Sequence, residues 1–497
     1  MSALTLTGMV DDAFDAAPTS TFVASPDGRR ATYADARARA SQLARVLAGL
    51  GIGAGDRVAV QVEKSPDSLF LYLACLRSGA VFVPVNTAYT ESEVDYLVGD
   101  VDPSLVVRDP GRPPRVAGPP VLTLDAHGGG TLAEAASGEA TDFDGAHPEP
   151  DDTAAILYTS GTTGRPKGAV LSQANLASNA EALGRTWAFR DDDVLLHALP
   201  LFHTHGLFVA TNCVLWSHAS LILLPRFDPA EVMGHLEQST AFMGIPTFYT
   251  RLLADPGFTR SLCRNIRLFT SGSAPLPASV HAEFTARTGH AIVERYGLTE
   301  TSILTSNPLG RERAGTVGLP LPGVDLRIVD TESSGTGAPT GAVEVRGPNV
   351  FGGYWRRPDA GTSEFTADGY FRTGDLASVD AEGYVTIVGR SKDLIITGGY
   401  NVYPKEVEDV LGALEGVEES AVVGLPDADL GERVAAVVVL RPGAVASEQL
   451  IRSGARQTLA GYKVPKSVHF MEALPRNAMG KVEKEKLRDH FGGVQRL

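Results

Sequence analysis

Residues 158–167, reading YTSGTTGRPK, constrain this chain more than any other stretch. They follow the apolar run Ala154-Ala155-Ile156-Leu157, which has strand character. Thr159, Ser160, Thr162 and Thr163 supply hydroxyls, and Gly161 and Gly164 let the backbone turn its N–H groups toward an anion. Lys167 adds a positive charge on a long stem. A strand leading into such a loop suits a polyphosphate. The Walker arrangement needs Gly-Lys-Ser/Thr after a four-residue gap, so a P-loop nucleotidase is excluded on spacing. Composition alone also fits an ordinary Gly/Ser/Thr turn.

Upstream of the loop the pattern alternates. Leu43, Val46, Leu47 and Leu50 recur at helical spacing before Gly51, Arg57 to Val62 is β-branched, Pro66 to Ser78 is helical, and Ala80 to Val85 is again a strand. Strand, helix, strand in succession predicts parallel units in an α/β layer architecture. From Asp109 to Asp152 the pieces PGRPP, HGGG and HPEPDD predict a surface loop excursion. Downstream, Gln173 to Leu183 reads as a helix ended by Gly184, and Val194 to Leu199, Ala219 to Pro225 and Ala241 to Pro246 as strands. The segments IRLFTSGSAPLP and IVERYGLTETS each read as a strand running into a turn. In a parallel sheet ligands gather beyond the strands' carboxyl ends, so both turns and the opening loop are expected at one site.

A chain of 497 residues exceeds one core. A formal charge of −15 disfavours nucleic acid and anionic membrane as partners. Cys75, Cys213 and Cys263 form neither a disulfide framework nor a metal spacing. The segment MSALTLTGMVDDAFDAA lacks a basic region followed by an apolar one, and no apolar run reaches a membrane span; the expected location is cytoplasmic. His203 and His205, in LPLFHTHGL, lack a third ligand at a suggestive spacing, so pocket-lining roles outrank zinc.

Three further clusters carry chemistry. Tyr296, Gly297, Thr299 and Glu300, in YGLTE, combine an aromatic face, a permissive backbone, a hydroxyl and a carboxylate able to hold Mg²⁺ against phosphate. Asp375, in YFRTGDL, reads as a Gly-Asp turn able to accept ribose hydroxyls. Lys481, in PRNAMGK, follows a glycine near the end of a small α/β unit. In their order and over residues 30–485 these motifs resemble the adenylate-forming enzymes, the acyl-CoA synthetase, adenylation-domain and luciferase superfamily.

That resemblance implies a large N-terminal α/β domain with parallel-rich sheets (1–390) and a small mobile α+β C-terminal domain (391–497), turning about Lys392. It implies Lys481, Glu300, Thr299 and His203 as catalytic groups, with Glu300 and Thr159 toward Mg²⁺. ATP would meet Thr159, Ser160, Gly161, Thr162, Thr163, Gly164, Lys167, Ser273, Ala274, Pro275, Glu294, Arg295, Tyr296, Gly297, Asp375 and Arg390. Coenzyme A would pass Gly398, Gly399 and Tyr400, and the acid would meet Arg251, Arg295, His203, Ser271 and Gly272. The implied partners are a small carboxylic acid, ATP and CoA, with a monomer or weak homodimer as the assembly.

Arg251 and Arg295 are candidate readers of a second carboxylate, because a fatty-acid pocket avoids a buried guanidinium. Segments such as GIPTFYTRLL, ERYGLTET and ITGGYNVYPKEVE most resemble malonyl-CoA synthetases. Ser302-Ile303-Leu304 departs from the more polar stretch usual there, which would suit a C2-substituted malonate of the polyketide extender type. The competing expectations are a ligase for a short-chain or aromatic monocarboxylate, an adenylation enzyme loading a carrier protein, and a non-catalytic nucleotide binder.

Overall fold

The computed structural model describes residues 4–112, 118–159, 166–332, 339–357, 364–477 and 480–492. Among them, a six-stranded and a nine-stranded sheet form the larger body. In the six-stranded sheet, Arg57–Gln61 runs parallel to both Val81–Pro84 and Leu105–Arg108, and Val81–Pro84 to Thr153–Thr159. The linking helix Pro66–Ser78 is set by its ends. Ser65 accepts from the Ser68 amide, Ser68 returns the bond, Pro66 presets the first turn, and Gly79 closes it at φ +74°. Every residue of that helix from Leu69 to Leu76 is buried, as its unbroken apolar run predicts.

The nine-stranded sheet aligns Val194–His197, Ala241–Gly244, Leu268–Ser271 and Ile292–Leu298 in parallel. A smaller antiparallel sheet carries Thr340–Arg346, Phe371–Val379 and Val385–Arg390. The last hundred residues build a five-stranded sheet around the hairpin Val417–Asp427 and Gly431–Leu440, with helix Pro404–Gly412 packed on it. This portion closes two apolar cores of its own, one including Ile395, Val407 and Val434, the other Val423, Val437 and Leu487.

Two expectations from the sequence are corrected. The excursion from 109 to 152 contains a strand, Val121–Thr123, parallel to Leu105–Arg108, and a helix, Thr131–Ser137. A three-residue strand takes its stability from a partner elsewhere in the chain, so its Pro/Gly-rich flanks hid it. Gly184 does not end its helix, which runs Gln173–Thr186. A Cβ on Gly184 would lie 2.0 Å from a ring carbon of Trp216, so the glycine there makes room for an indole.

Candidate active site

The parallel strands Leu268–Ser271 and Ile292–Leu298 place Ser271 opposite Glu294 and open into adjacent turns. Beyond the second strand the chain folds back as a hairpin with Ser302–Ser306, pairing Leu298 with Ser302. Gly297 permits this approach, because a Cβ there would sit 1.8 Å from the Ser302 carbonyl oxygen. Thr299 and Glu300 occupy the turn. Glu300 Oε1 accepts from the Tyr354 hydroxyl at 2.8 Å, and the Glu300 carbonyl accepts from the Phe351 amide at 2.8 Å. Lys167 pairs with Thr159 in an antiparallel ladder. Its Nζ lies 3.0 Å from Glu364 Oε1 and 4.9 Å from the Tyr354 ring centroid. The expected loop residues Ser160, Gly161, Thr162, Thr163 and Gly164 lie outside the described residues.

Among the described residues no three His, Cys, Asp or Glu side chains converge on a metal position. Glu300 Oε2 takes part in no hydrogen bond there. One hard carboxylate oxygen suits Mg²⁺ whose remaining ligands are phosphate oxygens and water.

A second cluster joins the site from the small antiparallel sheet. Asp375 is buried, and it lies within the strand Phe371–Val379, not in a turn as its Gly-Asp sequence predicted. Gly374 takes φ +72°, so the strand continues through an irregular ladder instead of reversing. Asp375 Oδ2 accepts from the Tyr296 hydroxyl at 2.5 Å, and Oδ1 faces Arg390 Nε at 2.9 Å. Each carboxylate oxygen keeps a lone pair for a further donor. Glu294 turns elsewhere: its Oε1 accepts from the Gly315 amide at 2.8 Å. Burial pushes its carboxyl up to about 7, against that backbone hydrogen bond.

The third cluster surrounds Arg295. Its guanidinium is buried, and Nε and Nη2 have no hydrogen-bond partner. Gly272 lies against it, with a Cβ position 2.5 Å from Arg295 Cζ. Burial holds Arg295 down to about 9. Ser271 Oγ, Thr270 Oγ1, Thr204 Oγ1 and His205 Nε2 are also buried without partners. His205 Nδ1 lies 3.4 Å from Ser273 Oγ, and Ser273 adopts φ +68°. Unpaired polar atoms are expensive in a dry core, and the Arg295 nitrogens together with His205 Nε2 mark a place for a polar ligand.

His203 registers two cations. Burial first, then Lys481 and Arg295, hold its imidazole down to about 3, so it is neutral at ordinary pH. Desolvation by the surrounding protein and the Arg390 charge lower the pKa of the Lys481 ammonium against the opposing pull of Asp375 and Glu300. The preceding Gly480 rests on the larger body, its Cβ position 3.2 Å from Thr247 Oγ1 and 3.3 Å from Ile245 Cδ1. Lys481, His203, Arg295, Glu300, Asp375 and Arg390 thus share one electrostatic neighbourhood.

The other expected residues fall on several elements. Arg251 projects from the exposed face of helix Pro246–Leu253, because Tyr249, Leu252 and Leu253 take the inward face. Arg295 is the leading charge felt by His205, Cys213 and Tyr249. Ala274 is half-buried and Pro275 exposed in the turn after Ser273. Gly398 and Gly399 form the turn between Ile395–Thr397 and Tyr400–Val402, at φ +57° and +81°. Tyr400 is exposed and stacks on Tyr462 at 4.7 Å. Lys392 is exposed in the short helical turn Ser391–Asp393. Ile303 and Leu304 sit in the main apolar core, with both Ile303 backbone groups bonded to Asn179. Sequence reasoning missed Tyr354, Glu364 and Tyr249. The first two act across 54 and 197 positions, and only the tyrosine's place in a strongly amphipathic helix signalled the third.

Known proteins resemble this chain over nearly its whole length. The model of the AMP-binding enzyme family matches residues 10–355, and that of the AMP-binding enzyme C-terminal domain matches residues 406–481. The mitochondrial malonate–CoA ligase of Mus musculus is 37% identical over 509 residues, covering 92% of this chain and 86% of its own. A feruloyl-CoA synthase of Amycolatopsis sp is 37% identical over 480 residues, covering 94% and 95%. The structure of ATP-bound MatB from Rhodopseudomonas palustris superposes with a TM-score of 0.95 at 49% identity, covering 99% of this chain and all of that one.

Proposed function

The chain belongs to the AMP-binding enzyme family, and on that premise we propose that it is an AMP-forming acid–thiol ligase that joins malonate, or a C2-substituted malonate, to coenzyme A. The observation that carries the substrate is Arg295, a buried guanidinium with two unpartnered nitrogens close to Lys481 and His203. A second carboxylate on the acid supplies the missing partner, as a bidentate pair where the geometry allows. The mouse malonate–CoA ligase and the ATP-bound MatB structure support the same reading.

In the first half-reaction one substrate carboxylate attacks the α-phosphorus of ATP. Pyrophosphate leaves, and an acyl-adenylate remains. A carboxylate needs no base, so the obstacle is repulsion between anions, which fixed positive charge and donors relieve. Lys481 would bridge the attacking carboxylate and the α-phosphate, and Lys167 would hold the outer phosphates. Asp375 and Arg390 would engage the ribose, and the Tyr296 ring would pack on adenine. Glu300 would hold Mg²⁺ brought with the nucleotide, which neutralises phosphate charge when bound. Neutral His203 would line the acyl carbonyl without adding another charge. In the second half-reaction the thiol sulfur of CoA attacks the acyl carbon, the bond to AMP breaks, and the thiol proton passes to solvent.

The two steps need different groups at one carbonyl. Rotation of residues 391–497 about Lys392 would withdraw Lys481 and bring Gly398, Gly399 and Tyr400 toward the pantetheine arm. The cytoplasmic location and the monomer or weak homodimer belong to the same proposal. Among the described residues no helix is long and apolar enough to cross a membrane.

A second reading, an aromatic monocarboxylate, draws on the feruloyl-CoA synthase relative. An apolar ring beside Arg295 would leave its charge uncompensated, which weighs against it. Pyrophosphate release with ATP, Mg²⁺ and malonate, methylmalonate, butyrate or ferulate, with and without CoA, separates the two. Preference for the diacids is the expected result; preference for ferulate or butyrate retains the ligase and refutes the diacid.

A further inference from the structure

Lys64 stands beyond the strand Arg57–Gln61, immediately before the capping Ser65, and reaches from one large sheet to the other. Its Nζ lies 2.8 Å from His197 Nδ1 and 2.8 Å from the His197 carbonyl oxygen. His197 is buried at the end of the strand Val194–His197, and its Nε2 lies 2.8 Å from the Gly206 carbonyl oxygen. Gly206 belongs to the π-helix His205–Thr211, where the Thr211 hydroxyl also donates to that carbonyl at 3.1 Å.

Held as an ammonium, Lys64 can only donate, and His197 Nδ1 then presents its lone pair. The imidazole is neutral, since burial and the Lys64 charge hold its pKa far below the ordinary value. The remaining proton therefore sits on Nε2 and is donated to Gly206. Among the described residues no carboxylate lies within ion-pair distance of Lys64, whose burial lowers its own pKa. An uncompensated ammonium of this kind is costly, and dispersion packing does not account for it. π-Helices often mark functional sites. Here Gly206 packs backbone to backbone on the approach to His203, its Cβ position 2.1 Å from the Pro200 carbonyl oxygen.

We infer that Lys64 and His197 are positioning residues for acid recognition: the ammonium fixes the His197 tautomer, His197 holds Gly206, and the π-helix then presents His205 beside Arg295 to the second carboxylate. The Ser273 hydroxyl can donate to His205 Nδ1, and in that tautomer the unpartnered His205 Nε2–H is the donor for that carboxylate. This inference rests on the diacid reading above. Lys64 also lines a cavity of about 290 Å³ with Phe202, Phe227, Phe248 and Arg226, so direct contact with CoA is the alternative to exclude.

Lys64→Met, His197→Leu and His197→Gln in the full chain test it. The glutamine amide reproduces both bonds, its oxygen accepting from Lys64 and its nitrogen donating to Gly206. Pyrophosphate release gives KM and kcat for malonate and butyrate; thioester formation gives KM for CoA; thermal unfolding reports the fold. Lys64→Met and His197→Leu are expected to raise malonate KM about tenfold to hundredfold, with butyrate and CoA KM changed less than about threefold. His197→Gln is expected to restore most of the malonate KM. A rise in CoA KM alone overturns the inference, as does a glutamine variant no better than leucine. A proportional loss for every substrate with a falling Tm does so too. If the wild type prefers butyrate, the diacid reading fails and this inference fails with it; if it prefers malonate and the variants leave malonate KM unchanged, the inference fails alone.

Discussion

Gly272 and the Arg295 guanidinium occupy the same space to within a methyl group, for a Cβ on Gly272 would meet both Cζ and Nη1 at 2.5 Å. The guanidinium is the far end of a flexible side chain, so it would yield before the backbone does. Gly272→Ala is therefore expected to fold, to keep its KM for ATP, and to raise KM for malonate by roughly tenfold to hundredfold. Steady-state kinetics with each substrate varied in turn checks this.

Removing the charge tests the same contact from the other side. Arg295→Leu should abolish the preference for malonate over butyrate and stabilise the free protein by about 1–4 kcal/mol, since an unpaired buried cation is exchanged for apolar packing. The pH dependence has a definite sign. With its folded pKa at about 9 and its unfolded value higher, Arg295 binds fewer protons in the folded state above pH 9. Wild-type stability should therefore gain from this group as pH rises past 9, and the leucine variant should lack that gain. Denaturant unfolding at pH 8 and 10 reads both effects.

Lys481→Ala should slow acyl-adenylate formation by about 10²–10³, the order lost when one transition-state donor is removed. Thioester formation from presynthesised malonyl-adenylate and CoA should stay within a few-fold of wild type, because that step does not use the lysine. Single-turnover assays of each half-reaction distinguish the two steps.

Glu294 supplies a prediction at milder pH. Its folded pKa of about 7 exceeds the ordinary 4.5, so the folded state holds a proton that the unfolded chain has released between those values. Stability from this group falls as pH rises through that window and is level above it. Glu294→Gln, whose amide oxygen still accepts from Gly315, should gain up to about 3 kcal/mol at pH 8 and little at pH 4.5. Unfolding at the two pH values measures the difference.

Much of this architecture is legible locally. Helix Pro66–Ser78 carries its capping serine, its leading proline, its closing glycine and an apolar run within fifteen residues. The order of the phosphate loop, YGLTE, TGD and the terminal lysine points to one reaction class. What stays hidden depends on distant partners. Gly184 reads as a stop until Trp216 is placed beside it. Asp375 reads as a turn until the strands of its sheet are paired. Arg251 and Arg295 are equivalent as letters, and only helical phase and strand burial separate an exposed guanidinium from a buried one. Lys64 and His197, 133 positions apart, carry no motif at all.

The apolar side chains of the last hundred residues close on one another, as Val407 with Val434 and Val437 with Leu487 illustrate. Little greasy surface is then stranded when this portion leaves its neighbour. The polypeptide accordingly has a natural seam: severed after Arg390, its two fragments should each fold unaided, and mixing them should reconstitute catalysis in proportion to their concentration.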